Sequence, residues 1–540
     1  MAAVGVIGGV AAAGSASGWF NQSRPFKPRP AAAGVNGSHQ TGGGAHPQGA
    51  APYVSAATTS QTPDGVGASW VVAENARPGT SAWRISGVQT PEGIMGYANQ
   101  VQAQADQVVN LYVSTHAPSF HVEAYRMGYY QGLGGRLVWT SPTVAGVVQP
   151  SCPVDPATNM VSCNWQSSLS FSVTNSWVPG QYLLKLVGTG GQQGYIPLTI
   201  WDPASHATYV IMSGVLTDQA FNAFGGYDLY QGATPCAYGV YPCSTRSKVV
   251  SFDRPYAEGN GASSYLTLEY PLTRFAEMHG LDVTYWTDIT LSTDGNLLTN
   301  HKVLISPGHD EEWSLEMRNA TEAAARQGVN LIFFGASPVL RKVRLQPSPL
   351  GPDREMVNYR DPASDPLMGV DNAEVSQNWW GQSPASRPES ELVGADYVGY
   401  YNEGSFPLVV SEPTSWLFAG TGLGAGATIP TVLTGDFQAY YPLLGGTPSD
   451  IEILSHSPVT ITDNPDRHYA DTTYYTMPSG AGVFSSGTTN WITTLLPCAP
   501  SPKCPAPLMQ DITGNLLRVF GAGPVARTYP SVRNITRFYG

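Results

Sequence analysis

The chain has 540 residues and a formal net charge of −12, with 42% of its residues hydrophobic and only 12% charged. That length exceeds what one core usually serves, and the lack of any basic run or stripe argues against nucleic acid and acidic polymers as partners. Charged residues stand at about half the usual ~25%, and 59 Gly and 44 Pro take their place. This composition suits a secreted protein with long loops.

Residues 2–13 are small and apolar, and Ala-rich, Ser-rich sequence follows. Segment 1–20 therefore resembles a signal peptide, although it lacks a basic start and its first positive charge comes at Arg24. It is too short and too Gly-rich for a membrane span, and no later segment reaches spanning length. Residues 21–65 read as a disordered linker. Across 66–204 apolar and polar residues alternate between frequent turns, with strands predicted at Val108–Val113, Phe120–Tyr125 and Tyr182–Val187. No helical period is visible there, so an antiparallel β-sandwich is expected.

From 205 to 540 the rhythm changes to α/β. Strands are predicted at Tyr209–Met212, Lys248–Phe252, Asp282–Tyr285, Val303–Ile305 and Asn330–Phe334. A helical pattern covers 265–279, and a second helix runs from a Ser314 cap to about Gln327 with Gly328 as its stop. Strand, helix, strand means parallel pairing with helices on both faces, and ligands then sit at the carboxyl ends of strands. Trp416–Phe418 and Val483–Phe484 read as further strands.

The loop His309-Asp310-Glu311-Glu312 lies at such a strand end. Four adjacent ionisable groups there would serve a metal site, a proton-transfer site, or a solvated helix start whose acids meet the dipole. Gly335-Ala-Ser-Pro-Val339 fails the G-x-S-x-G elbow at its last position. Zincin, Walker and dinucleotide motifs are absent. The Gly-aromatic segments Tyr125–Arg136 and Phe221–Tyr230 invite either ligand stacking or tight-turn packing. Six cysteines form three close pairs, Cys152 with Cys163, Cys236 with Cys243 and Cys498 with Cys504. Local bridging in an oxidising compartment is the simplest arrangement, and no C-x-x-C spacing suits zinc.

Several segments together carry a family resemblance. They are Tyr125-Arg-Met-Gly-Tyr-Tyr130, Val250–Tyr256, Glu269-Tyr-Pro-Leu272, Ser306-Pro-Gly-His-Asp-Glu311 with Trp313-Ser314, Gly328–Leu331, Phe418–Leu423, and Ser479–Phe484 with Trp491. In this order the chain resembles the N,N-dimethylformamidase large-subunit family over 67–540, in a secreted, actinobacterial form. The resemblance implies a β-sandwich followed by a glutamine-amidotransferase-like (flavodoxin-like) α/β domain. It also implies hydrolysis of amide or formamide carbon–nitrogen bonds on one iron held by two tyrosines and a glutamate. Position by position, one tyrosine falls on Tyr270, while the tyrosine of the family's H-x-E-Y loop falls on Glu312. Glu374 is the first choice for the third ligand and Asp436 the second, so the implied metal set is Tyr270, Glu312 and Glu374. His309 is then an outer-shell or acid–base group with Glu311 orienting it, and Asn222, Tyr227 and Asp310 are the substrate contacts. The family's characterised enzyme carries a small subunit; a homo-oligomer is the other assembly considered.

Two other classes stay open. The first is a non-catalytic extracellular protein that binds glycan or cell-wall polymer through Tyr129 and Tyr227. The second is a carbohydrate hydrolase using Asp310 or Glu311 with a distant acid about 5–10 Å away.

Overall fold

The computed structural model describes residues 58–90, 92–232, 245–441, 445–462, 464 and 466–539. The signal-like segment, most of the expected linker, and Cys236 and Cys243 lie outside these residues. The linker expected to reach 65 ends earlier, because Thr59–Thr62 and Gly65–Ala68 pair as a hairpin. Helix α1 (Ser69–Asn75) follows directly, in a stretch for which no helix was expected. Val66, Ala68 and Val71 bury their side chains in the core of the C-terminal unit.

The N-terminal unit consists of β-sheets. Strands Gln193–Ile200, Gly180–Gly188, Ser119–Met127 and Gly135–Thr140 are joined antiparallel, and the short strand Gln102–Ala103 joins the edge in parallel. A second sheet pairs Ile94–Ala98, Val108–Thr115 and Leu169–Ser172. One face of each sheet supplies a shared core that includes Val109, Leu111, Val122, Leu184 and Ile196. The alternation that predicts these strands is the alternation of in-facing and out-facing residues.

The C-terminal unit is built on a seven-stranded sheet. Its strands are β1 (Tyr209–Ser213), β2 (Val283–Thr287), β3 (Val303–Ser306), β4 (Asn330–Phe333), β7 (Glu452–Pro458), β8 (Tyr469–Thr476) and β9 (Gly482–Ser485), in the order β2-β1-β3-β4-β9-β8-β7. The first five positions are parallel, and β8 and β7 are antiparallel additions. The parallel strands are buried on both faces and read as continuous apolar runs, as such strands do. A long hairpin of β5 (Asp396–Val409) and β6 (Thr428–Ala439) is inserted between β4 and β7. Two expectations change here. Val249–Ser251 does form a strand, but it pairs with Gly351–Val357 in a separate sheet, and Trp416–Phe418 is a 3-10 turn.

Helices cover both faces of the sheet. Helix α2 (Val215–Ala220) follows β1. The pattern at 265–279 becomes two helices, Tyr265–Leu268 and α3 (Tyr270–Met278), broken at Glu269 with φ −130°. Helix α4 (Leu315–Ala325) starts where Ser314 Oγ accepts from the Met317 amide at 3.1 Å. The last helix is α5 (Ala506–Gly521). The two units meet across a fully buried ion pair, Arg126–Glu277. The Tyr285 hydroxyl also donates to Glu277, at 2.8 Å, and the Tyr130 hydroxyl donates to Glu74, at 2.7 Å.

Candidate functional site

In an open parallel sheet the crevice for ligands opens where successive connections leave in opposite directions. Here that point lies between β1 and β3, since the chain moves from β1 to β2 on one side and from β3 to β4 on the other. The exits of β1, β3 and β4 pack directly on one another there. A Cβ on Gly214 would lie 2.7 Å from the His309 carbonyl oxygen, and one on Gly335 would lie 2.8 Å from that of Gly308. Glycine is what allows these loops to touch.

The β3 exit carries His309, Asp310, Glu311 and Glu312. The Thr217 hydroxyl of α2 accepts from the Glu311 amide at 2.8 Å and fixes the turn. His309 Nε2 lies 3.0 Å from Glu311 Oε1 and 3.7 Å from Oδ2 of Asp436, which arrives on β6. One ligand atom from each of these three residues lies within 4.8 Å of the other two, a spacing that a cation could bridge. The Tyr230 hydroxyl contacts Glu311 Oε2 at 2.7 Å and Glu312 Oε1 at 2.8 Å. The Phe221 ring stacks on Tyr230 at 4.0 Å and lies 4.9 Å from His309.

Charge is distributed unevenly over this loop. Burial works against the charged imidazole of His309, but the hydrogen bond to Glu311 and the charges of Glu311 and Asp436 outweigh it and raise the group to about 9. Burial also opposes the Glu311 carboxylate, yet His309 and Arg341 outweigh it and hold Glu311 well below the carboxylate range. Glu312 is pushed up to about 7, first by burial and then by the charge of Glu311. At neutral pH the pair is an imidazolium on a carboxylate, with a carboxyl beside it that binds a proton readily.

Behind this rim lies a second layer of acids. The Asp310 carboxylate accepts from Ser306 Oγ at 2.6 Å and is raised by burial to about 6. Glu269, in the break before α3, accepts from Ser213 Oγ at 2.6 Å and from the Gly214 amide at 3.1 Å. Burial and the charge of Asp218 push Glu269 to about 8. Asp288 accepts from the Leu216 amide at 2.7 Å and is raised by burial and by Asp310.

Not every residue expected from the sequence joins this cluster. The Tyr270 hydroxyl faces the Gly128 and Gly134 carbonyl oxygens at 3.4 and 3.3 Å, and its ring packs on Trp83. The helix break accounts for this: it turns Glu269 toward the sheet edge and Tyr270 toward the N-terminal unit. Glu374 is half-buried and has Glu316, Lys342 and Asp371 as its charged neighbours. Asn222 donates to Gln219 and Pro255 and accepts from Phe224 and Ala257. Its amide is thereby used up as a strut rather than left for a ligand. Tyr227 is half-buried, and its carbonyl accepts from Arg254. Tyr129 sits under the Arg274 guanidinium. Cys152–Cys163 and Cys498–Cys504 are bonded, while the third pair lies outside the described residues.

The implied iron site, two phenolates and one carboxylate, does not fit this arrangement. Tyr230 is the phenol that meets the acid loop, and fixed positive charge surrounds it already. Arg341 Nε lies 3.3 Å from Glu311 Oε2, and the Arg360 guanidinium lies 4.1 Å above the Tyr230 ring. Glu269, Tyr230 and Arg341 are not among the site residues that the sequence predicts, and Ser337 enters there only as the serine of an incomplete elbow. For Tyr230 a signal existed, because it closes the Gly-aromatic segment noted for its rings. Glu269 opens the Glu269–Leu272 motif, in which the family resemblance points to the tyrosine beside it.

The C-terminal unit is thus a mixed α/β sheet whose strand exits gather a histidine and several acids. Residues 121–504 match the profile of the N,N-dimethylformamidase beta subunit-like, C-terminal family. The chain belongs to that family. No curated protein sequence matches it. Among solved structures, a Paenibacillus sp. cycloisomaltooligosaccharide glucanotransferase complexed with cycloisomaltoheptaose is similar at 8% identity and a TM-score of 0.16, over 58% of this chain and 61% of that one. Among the described residues no helix is long and apolar enough to cross a membrane.

Proposed function

We propose that the chain is a hydrolase of amide or formamide-type carbon–nitrogen bonds with a site altered from its family's pattern. One observation carries this reading: His309, Glu311 and Asp436, from two distant segments, present their functional atoms together at the switch point of the sheet. The β2-β1-β3-β4 order supports a flavodoxin-like unit behind a β-sandwich. The two bonded cysteine pairs support secretion.

The roles follow from charge. His309 is protonated at neutral pH, so it is the acid that hands a proton to the departing amine. Glu311 is its orienting anion. Asp436 accepts the proton of the attacking hydroxyl group. Glu312 and Tyr230 hold Glu311 in place from behind.

A second reading is favoured by the 4.8 Å grouping itself: a cation, iron included, held by His309, Glu311 and Asp436. Such a donor set suits several transition metals, and a bound cation would supply Lewis-acid polarisation of the amide carbonyl. Elemental analysis of the purified chain separates the two readings.

The test is release of amine and formate from formamide, N-methylformamide and N,N-dimethylformamide by the full chain. Turnover is expected to fall above about pH 9 as His309 loses its proton, and His309→Gln should lose about 10²-fold or more. A folded chain that releases nothing from these or other short linear amides would overturn the reading. Retention on a polysaccharide column, lost with Tyr129→Ala or Tyr227→Ala, would then favour the glycan-binding alternative.

A further inference from the structure

The Gly335-Ala-Ser-Pro-Val339 segment departs from a nucleophile elbow only at Val339. In the fold its serine follows a strand of the parallel sheet, as an elbow's does, although the chain runs on to the short strand Arg341–Lys342 rather than into a helix. Ser337 comes four residues after β4, on the ligand edge of the parallel sheet. Its backbone φ is +75° and that of Val339 is +60°. Non-glycine residues in that region carry strain of about 1–3 kcal/mol, persist only where the surroundings over-determine them, and cluster at active sites.

The side chain is placed as the backbone suggests. Ser337 Oγ lies 3.2 Å from Asp436 Oδ2 and 3.3 Å from Glu311 Oε1, and it also faces the Ala336 carbonyl. A hydroxyl between two carboxylates donates its single proton to one of them. Glu311 is held by His309, Tyr230 and Arg341, which steadies its charge and weakens it as a base. Asp436 Oδ2 is the nearer of the two carboxylate acceptors. Ser337 is fully buried, while the side chains of His309 and Asp436 are 19% and 22% exposed. The hydroxyl thus lies against a side chain that reaches solvent.

We propose that Ser337 is the nucleophile of this hydrolase and carries the acyl group as a serine ester, an inference that rests on the amide-hydrolase reading. As the Oγ–carbon bond forms, the Oγ proton passes to Asp436 and the carbonyl electron pair moves onto oxygen. Collapse breaks the carbon–nitrogen bond, and the amine leaves with the proton of the His309 imidazolium. Water then adds to the ester and gives a proton to the now neutral His309. The ester bond breaks, Oγ recovers its proton from Asp436, and the free acid departs with every group restored.

The experiment treats the full chain with a fluorophosphonate probe and maps the adduct by peptide mass, alongside formamide hydrolysis. One adduct is expected on the Ser337 peptide, with loss of labelling and on the order of 10²-fold or more of turnover in Ser337→Ala. Ser337→Gly is the companion variant, since glycine adopts positive φ freely and removes the hydroxyl without adding strain. Turnover within two-fold of the parent in either folded variant would overturn the serine while leaving the hydrolase reading standing, as would an active parent with no adduct at Ser337. A labelled Ser337 in a chain that cleaves no amide would sink the amide reading and keep the nucleophile.

Discussion

Tyr230 is the residue on which the local electrostatics turn. Its hydroxyl has one proton and two carboxylate neighbours, at 2.7 and 2.8 Å. If Tyr230 donates to Glu311, the contact with Glu312 is favourable only when Glu312 carries a proton of its own. Burial and the charge of Glu311, which push Glu312 to about 7, make that proton available. Removing the hydroxyl should therefore leave two buried acids without their go-between. Tyr230→Phe keeps the ring against Phe221 and is expected to destabilise the fold by about 1–3 kcal/mol. A urea melt checks this, and an unshifted midpoint would mean that the bridge contributes nothing. Glu269 makes the complementary point. One residue earlier than the tyrosine expected as a ligand, it is the side chain that faces the site, because α3 begins after a break rather than continuing from Tyr265.

At the level of elements, the site depends on three strand exits that touch through glycine. A methyl group on Gly214 would meet the His309 carbonyl at 2.7 Å, a distance that forces the His309 loop to move. Overpacking of this kind costs about 1–3 kcal/mol. Under the proposed function, a shift of that size at the His309 loop should cut turnover far more than it cuts stability. Gly214→Ala is thus expected to fold, to melt slightly lower, and to lose about 10-fold or more in kcat. Calorimetry with steady-state kinetics checks the pair of effects, and an unchanged kcat would argue that His309 is not held by this contact. The hairpin of β5 and β6 is the other decisive element. It brings Asp436 to the sheet edge, and Thr489 backs it through a 3.3 Å amide bond to the Asp436 carbonyl.

Across the whole molecule, many buried acids shape the response to pH. Glu269 and Asp396 are raised to about 8 and Glu258 to about 7, each chiefly by burial, whereas unfolded carboxyls titrate near ~4. Between those limits the native chain binds more protons than the unfolded one, so stability falls as pH rises. His309 acts in the same direction: its folded value of about 9 exceeds an unfolded ~6.5. Its contribution is complete below the lower value and lost through the upper. Glu74 is the opposite case. Burial raises it, but Arg126 and Arg136 outweigh that and lower it to about 2, so its stabilisation is lost only as pH drops below the ordinary carboxyl range. A melting temperature higher at pH 5 than at pH 8.5 is expected by differential scanning fluorimetry, and the reverse order would contradict these assignments.

The sequence by itself determined part of the local structure. Alternation located three strands of the N-terminal unit, apolar runs located β1, β2, β3 and β4, Ser314 marked the start of α4, and close spacing paired Cys152 with Cys163 and Cys498 with Cys504. Each of these rests on backbone sterics and burial period within a short window, and such a window is contained in the chain. The tertiary structure alone decided which side chains meet. Asp436 reaches His309 on a remote hairpin, Ser337 lies between Asp436 and Glu311, and Tyr270 turns away to the N-terminal unit. Those encounters depend on the order in which strands cross the sheet and on where a helix breaks, and no periodicity records either.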